Sequence, residues 1–468
     1  MSELTKQLGR FAGSPEHSLI DEGLSTPGNA VLLDEVRGRP PTEAELAQEY
    51  VAPGDEALLR TGVLYQADWK RYGDGMARHA REQVTALAGA GMPISLQSIY
   101  HGGQLDGELH PDVVSKVGGL PRTTVGSIGI AIRQAVLHNS DFLLGLVCPK
   151  GARLMGFDIQ KRVYESTIVY TSWERTTVHP AIIDILKRCG QVWVPCRANR
   201  DAFVESGLPL DKVTVVPCPY DPATNPACRI PLPYGREHVP SGKRFYAIGK
   251  WEPRKGYDNL IGAFLLGFTP KDRASLMLKT HGWDRWEGYP SIQESLKKWF
   301  DDPRVKSNGW TVEKAQRQVR IVTKRISDDE MSELHRTNNI YVSSSHGEAW
   351  ELGAFDARCA GNRLVYVGYG GANEYAGKDD VYVPFYLGPV DKNYGWEPNA
   401  EWAHYTIDAL IAAMRKAEPP VRRIHPPELY TLFGKGPVGE RMKILVLQLA
   451  ERLSPALGPA RVEAGGYA

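Results

Sequence analysis

Short, nearly continuous apolar runs separated by amphipathic stretches set the rhythm of the chain. GVLYQ (Gly62–Gln66) predicts a strand, ADWKRYGDG a loop holding Gly73 and Gly75, and MARHAREQVTALAGAG a helix with Met76, Ala80, Val84 and Leu87 on one stripe. PISLQSI (Pro93–Ile99) reads as the next strand. DFLLGLVCP, STIVYTSW, VWVP (Val192–Pro195) and VTVVP (Val213–Pro217) have the same buried-strand character. Strands that are apolar on both faces and alternate with helices predict a parallel sheet covered on both sides. In such doubly wound α/β folds ligands bind at the carboxyl ends of the strands, where the Gly73–Gly75 loop falls.

The pattern breaks at Cys218–Lys243, where prolines crowd out periodic apolar positions and mark a linker, placed at 226–243. It separates a first domain at 61–225 from a second at 244–390. Beyond them, EWAHYTIDALIAAMRKA and VGERMKILVLQLAERL predict amphipathic helices within 391–468. Residues 1–60 are rich in Pro, Gly and acids and read as an extension with one helix around Thr42–Tyr50. Residues 101–165 give the weakest pattern and are taken as a functional or variable loop region.

Composition narrows the class without naming a function. A chain of 468 residues can bury two or three full cores, and 42% hydrophobic with 24% charged residues is ordinary for globular domains. A formal net charge of +1 gives no global pull toward nucleic acid or membrane. Six cysteines are scattered without a CxxC pair or metal-ligand spacing, which predicts reduced thiols, no metal site and a cytoplasmic protein. No apolar h-region opens the chain and no apolar run approaches ~20 residues, so neither a signal peptide nor a span is expected. Peripheral membrane contact stays open.

Two segments carry candidate chemistry. SSSHGEAWELGAFDARCAG (Ser343–Gly361) sets Glu348 in a Gly-containing loop and Asp356 in the helix after it. Helix rise separates such carboxylates by roughly 10 Å, too far for one dyad and suited to a ligand with two polar ends. FYAIGKWEPRKGYDNLIGAF (Phe245–Phe264) reads as a strand, a basic turn with Lys250, Arg254 and Lys255, and a helix. Gly249 and Gly256 permit tight backbone there, and a cationic turn opening a helix is a good phosphate site.

In this order the two segments resemble the retaining GT-B glycosyltransferases of the glycosyltransferase family 4 type, which carry a G-R-x-x-x-x-K-G turn and an E-x7-E motif of the form EGFGLPxxE. Here these read GKWEPRKG and EAWELGAFD, and the similarity spans roughly residues 60–400. The resemblance implies two Rossmann-like domains facing across a cleft, a C-terminal helix returning to the first, and transfer of a sugar from a nucleotide diphosphate with retention. UDP- or GDP-sugars are the donors it favours, with no cofactor or metal required. A saccharide or lipid-linked glycan is the favoured acceptor; a small metabolite or modified nucleic-acid base stays open.

By the same resemblance Lys250 and Lys255 hold the diphosphate, Glu348 contacts the donor sugar and Asp356 the ribose. Gly73, Gly75, Gly249, Trp350, Glu351 and Leu352 line the donor site, and Arg325 and Ile326 pack the nucleobase. The chain departs from the motif at Lys250 for Arg, at Asp356 for Glu, and at Ala349, Glu351 and Gly353 in the loop. A carboxylate at Glu351 would repel a diphosphate unless it points away. Trp173 and Glu174, with His101, are acceptor-side candidates. His138, His179, His281 and His346 are weighed mainly as structural, His346 being the best placed for chemistry. YGGANEYAG (Tyr369–Gly377) matches a later G-G-x-x-E segment, in which Glu374 caps a helix on the plainer reading. No general base or covalent nucleophile stands out. Two rival readings remain, a nucleotide-sugar epimerase or hydrolase on the same scaffold and a non-catalytic nucleotide-sugar-binding relative.

Overall fold

The computed structural model describes residues 63–67, 75–92, 94–98, 135–139, 165, 167–229, 240–281, 288–391 and 399–457. The extension at 1–60, the Asp141–Pro149 strand, Gly73 and His101 lie outside them. The first unit holds β1 (Val63–Ala67), α1 (Gly75–Gly89), β2 (Ile94–Ser98), β3 (Ala135–Asn139), β4 (Thr167–Tyr170), α2 (Pro180–Arg188), β5 (Gln191–Val194), α3 (Arg197–Glu205) and β6 (Val213–Val215). These strands form a parallel sheet in the order β2-β1-β3-β4-β5-β6. All four residues of β4 and all four of β5 are buried, the two-sided burial that continuous apolar runs require. β3 falls in the stretch of weakest pattern, just ahead of the DFLLGLVCP run that reads as a strand.

The second unit begins with β7 (Lys243–Ile248), α4 (Tyr257–Gly267), β8 (Ala274–Lys279), α5 (Ile292–Asp301) and β9 (Val319–Val322). It continues with α6 (Asp328–Thr337), β10 (Ile340–Ser343), α7 (Leu352–Cys359), β11 (Arg363–Val367) and β12 (Val381–Val383). Its sheet order, β12-β11-β10-β7-β8-β9, has the chain wind outward one way from β7, return, and wind the other way from β10. That reversal puts a topological switch point between β7 and β10, the adjacent strands that precede the two motif segments.

One expected helix is partly a strand. In EWAHYTIDALIAAMRKA, Glu401–His404 forms β14 and pairs antiparallel with β13 (Tyr386–Pro389). The helix, α8, is confined to Ile407–Lys416, because the Thr406 hydroxyl accepts from the Ala409 backbone N–H and stops it at its N-cap. Leu410, Ala413 and Met414 of α8 join the second unit's core, so that unit extends past residue 390.

After α9 (Pro427–Phe433), α10 (Lys435–Leu457) packs on α1, adding Val438, Met442, Val446 and Leu449 to the first unit's core. Among the described residues no helix is long and apolar enough to cross a membrane. The α1–α10 contact is so close that a Cβ on Gly439 would stand 2.3 Å from the Ala86 carbonyl oxygen. Gly439→Ala gains about 1 kcal/mol of helix propensity. Forcing the helices apart costs about 1–3 kcal/mol, so denaturant unfolding is expected to show a net loss of stability. A more stable variant would contradict this packing.

Candidate functional site

The chain leaves β7 at Ile248, passes Gly249 and Lys250, makes the 3-10 turn Pro253–Lys255 and enters α4. Gly256 between turn and helix has φ 62°, and a Cβ there would lie 2.4 Å from the Ser344 carbonyl oxygen and 2.5 Å from the Tyr405 hydroxyl. The turn therefore fits only around glycine. The second segment leaves β10 at Ser343 and reaches α7 through Ser344–Glu351. Its Gly347 backs onto the first unit, since a Cβ would stand 2.1 Å from the Glu174 carbonyl oxygen.

Arg254 organises the ground between these loops. It is 7% exposed and reaches three carboxylates: Glu252 through Nη2 at 2.6 Å, Glu348 through Nη1 at 2.9 Å and Glu174 through Nε at 3.0 Å. Nη1 also donates to the Gly347 carbonyl at 2.8 Å. Only a planar fork of five donors can serve so many acceptors at once. Lys255 pairs with the same Glu348 oxygen. Its stem lies over Gly249, where a Cβ would sit 3.2 Å from Lys255 Cε. Lys250 is exposed and unpaired among the described residues.

The electrostatics follow from four buried or half-buried acids around one buried and one half-buried cation. Burial alone would raise the Glu348 carboxyl, but Arg254 and Lys255 outweigh it and hold the group down at about 2. Glu351 has the opposite balance: burial, with the Glu348 charge beside it, lifts its carboxyl to about 7. Glu351 takes a left-handed backbone, φ 63°, and its carboxylate turns inward to accept from Ser343 Oγ at 2.6 Å and Tyr341 Oη at 3.3 Å. There the carboxylate is held by Ser343 and Tyr341 while still feeling the Lys255 charge. Burial raises Glu174 to about 6 despite its Arg254 partner.

Asp356 sits apart from this cluster. Arg78 of α1 grips it from the first unit, Nη1 to Oδ2 at 2.5 Å and Nη2 to Oδ1 at 2.9 Å, and Asn225 Nδ2 donates to Oδ1 at 2.9 Å. Burial would raise the carboxyl, and Arg78 overcomes it to hold the group below its ordinary value. Three of about four carboxylate lone pairs are thus taken by the protein itself.

The remaining sequence candidates divide. Gly75 opens α1 with Leu352 Cδ1 3.5 Å from where its Cβ would be, so the start of α1 meets α7. Trp350 is buried against Phe355, Tyr375 and Phe433 with ring centroids 5.2–5.4 Å apart, and Ile326 and Leu352 pack on that cluster. Arg325 is exposed. Trp173 is buried, with Nε1 donating to the Thr177 carbonyl at 2.9 Å, and supports its own loop. His346 is stacked between Trp402 and Tyr405, with Nδ1 2.6 Å from the Ala403 carbonyl oxygen, and burial lowers it to about 4. His179 caps α2. Half-buried His281 lies at the end of β8, and of His138 only the backbone, in β3, is described. Glu374 caps a helix of the other unit, accepting from the Arg197 backbone N–H at 2.9 Å at the start of α3.

Sequence reading placed Arg254 only in the cationic phosphate-site turn and assigned no role to Glu252, Arg78 or Asn225. Arg254 had a signal, its place in the basic turn. Arg78 and Asn225 had none, because Asp356 lies 278 and 131 positions away from them.

No family model matches the chain. Mannosylfructose-phosphate synthase from Agrobacterium fabrum is 25% identical over 222 residues, 46% of this chain and 42% of that protein, so the match spans less than half of the relative. Sucrose-phosphate synthase from Thermosynechococcus elongatus matches 84% of this chain and 100% of its own with a TM-score of 0.52 at 14% identity. HepE from Anabaena, solved in complex with UDP-glucose, covers 85% of this chain and 99% of its own at a TM-score of 0.46 and 11% identity. The chain has the GT-B fold, two Rossmann-like units facing across a cleft.

Asp356→Ala would strand the Arg78 guanidinium, and a loss on the order of 3 kcal/mol is expected in chemical unfolding; no change would mean the pair is solvated. A second outcome concerns pH. The folded chain holds the Glu351 proton more tightly than the unfolded chain, so this stabilisation is full below the ordinary value of 4.5 and lost as pH rises through about 7. Glu174 acts in the same sense. Glu351→Gln is expected to flatten the fall in Tm across that window, whereas an unchanged profile would contradict the burial of this carboxyl.

Proposed function

We propose that the protein is a retaining glycosyltransferase of the family 4 type, moving a sugar from a nucleotide diphosphate donor to an acceptor hydroxyl. The observation that carries this reading is the Lys255–Glu348–Arg254 cluster at the switch point of the second sheet, opposite Glu174 of the first unit. Its parts match the GKWEPRKG and EAWELGAFD motifs in order, and the Agrobacterium relative is by name a synthase of a phosphorylated mannosyl sugar.

In this reading Lys250 and Lys255 take the diphosphate. Lys250 is exposed, and Lys255 turns from Glu348 or shares its protons with both. The inward turn of Glu351 sets its carboxylate on Ser343, so Glu348 is the carboxylate a diphosphate displaces from Lys255. Pre-placed cations aimed at a leaving oxygen are usually the largest catalytic contribution. Glu348, kept ionised by its two cations, faces the positive charge that builds at the anomeric carbon. The anomeric carbon–oxygen bond to the diphosphate breaks, the acceptor oxygen bonds on the same face, and the acceptor proton passes to the leaving phosphate oxygen. Asp356 reaches a ribose hydroxyl through its remaining lone pair or after Arg78 withdraws. The acceptor hydroxyl lies on the Glu174 side, and a saccharide is the favoured class.

Calorimetric titration of UDP, GDP, ADP and their common sugars tests the reading. One nucleotide family is expected to bind, and Lys255→Ala to weaken it about 10- to 100-fold, the worth of one hydrogen bond to a charged group. A folded protein that binds none of them would overturn it. Donor binding with no transfer to any saccharide and no free nucleotide released would favour the non-catalytic relative.

A further inference from the structure

The geometry points to a metal site for a zinc-type divalent ion held by Cys228, Cys359 and His425, apart from the Lys255–Glu348–Arg254 cluster. One donor atom from each, the two Sγ atoms and an imidazole nitrogen, lie within 4.8 Å of one another. A tetrahedral zinc, with bonds of about 2.3 Å to sulfur and about 2.0 Å to imidazole, sets its donors roughly 3.5–3.8 Å apart, so small side-chain movements close the shell. Two soft sulfurs and an imidazole select zinc over magnesium or calcium, which take oxygen.

The imidazole is already prepared for a ligand role. His425 Nδ1 lies 2.9 Å from the Cys359 carbonyl oxygen, which can only accept, so Nδ1 carries the proton. Nε2 therefore holds the lone pair, which accepts from the Tyr220 hydroxyl at 2.9 Å until a metal displaces that bond. An N–H bonded to a backbone carbonyl is the usual way a metal-binding histidine is oriented and its tautomer fixed. Cys228 and His425 are half-buried and give an entry path, while Cys359 is buried at the end of α7. Water takes the fourth position. Binding releases the two thiol protons and leaves all oxidation states unchanged.

The three ligands come from the 3-10 turn Pro226–Arg229, from α7 and from the segment ahead of α9. Three residues before Cys228, Asn225 bonds to Asp356, which itself lies three residues before Cys359. A metal would fasten the same two segments a second time. These cysteines show no metal spacing in sequence because the fold alone assembles them.

The test is titration of Co(II) into the full-length protein, reduced and stripped by chelation, followed by displacement with zinc. One equivalent is expected to give a thiolate-to-cobalt charge-transfer band that zinc abolishes, and zinc is expected to raise Tm. Cys228→Ser and His425→Ala are expected to lose the band, while Cys196→Ser, altered in the first unit, keeps it. No band with the folded wild type would overturn the proposal, as would a band that survives in Cys228→Ser. Mass spectrometry showing a Cys228–Cys359 disulfide in air, with no metal uptake after reduction, would identify a redox pair instead and also overturn it.

Discussion

Arg254 is the constraint on which the two facing units depend. Three carboxylates converge on its guanidinium, one from its own turn, one from the loop after β10 and one from the first unit. A buried arginine needs such partners, because removing its charge from water costs several kcal/mol unless attraction and hydrogen bonds replace hydration. The pairing fixes Glu348 and draws Glu174 to the Gly347 backbone. Arg78–Asp356 and Arg197–Glu374 span the same two units, and the Thr176–Glu401 hydrogen bonds add neutral polar contacts between them. A polar interface of this kind is typical of domains that move relative to one another.

The acids divide by environment. Glu348, Glu351 and Glu174 lie within one neighbourhood, yet two cations hold the first ionised while burial and like charge raise the others. The left-handed backbone at Glu351 makes this possible by turning its side chain toward Ser343 and Tyr341. A carboxylate at this loop position is therefore accommodated by a local backbone conformation and by hydrogen bonds from Ser343 and Tyr341.

Much of the fold was legible because buried parallel strands write themselves as continuous apolar runs; β1, β4, β5 and β7 all overlap stretches read that way. β3 was missed in a segment of weak pattern. β14 was read as helix because Trp402 and Ala403 sit next to a true helical period and only the Thr406 cap separates the two. At the site, local order in sequence singled out Lys250, Lys255, Glu348 and Asp356 as candidates within two short segments. It was silent on who pairs with whom. The Arg78 grip on Asp356, the convergence on Arg254 and the meeting of Cys228, Cys359 and His425 all join segments far apart in the chain, and only tertiary contact reveals them.

The most direct measurement is a crystal structure of the protein soaked with the nucleotide diphosphate sugar that binds best. The account predicts diphosphate oxygens within hydrogen-bond distance of the Lys250 and Lys255 ammonium groups, and the sugar against Glu348. A nucleotide seated elsewhere, with the Lys255–Glu348 pair intact and untouched, would contradict it.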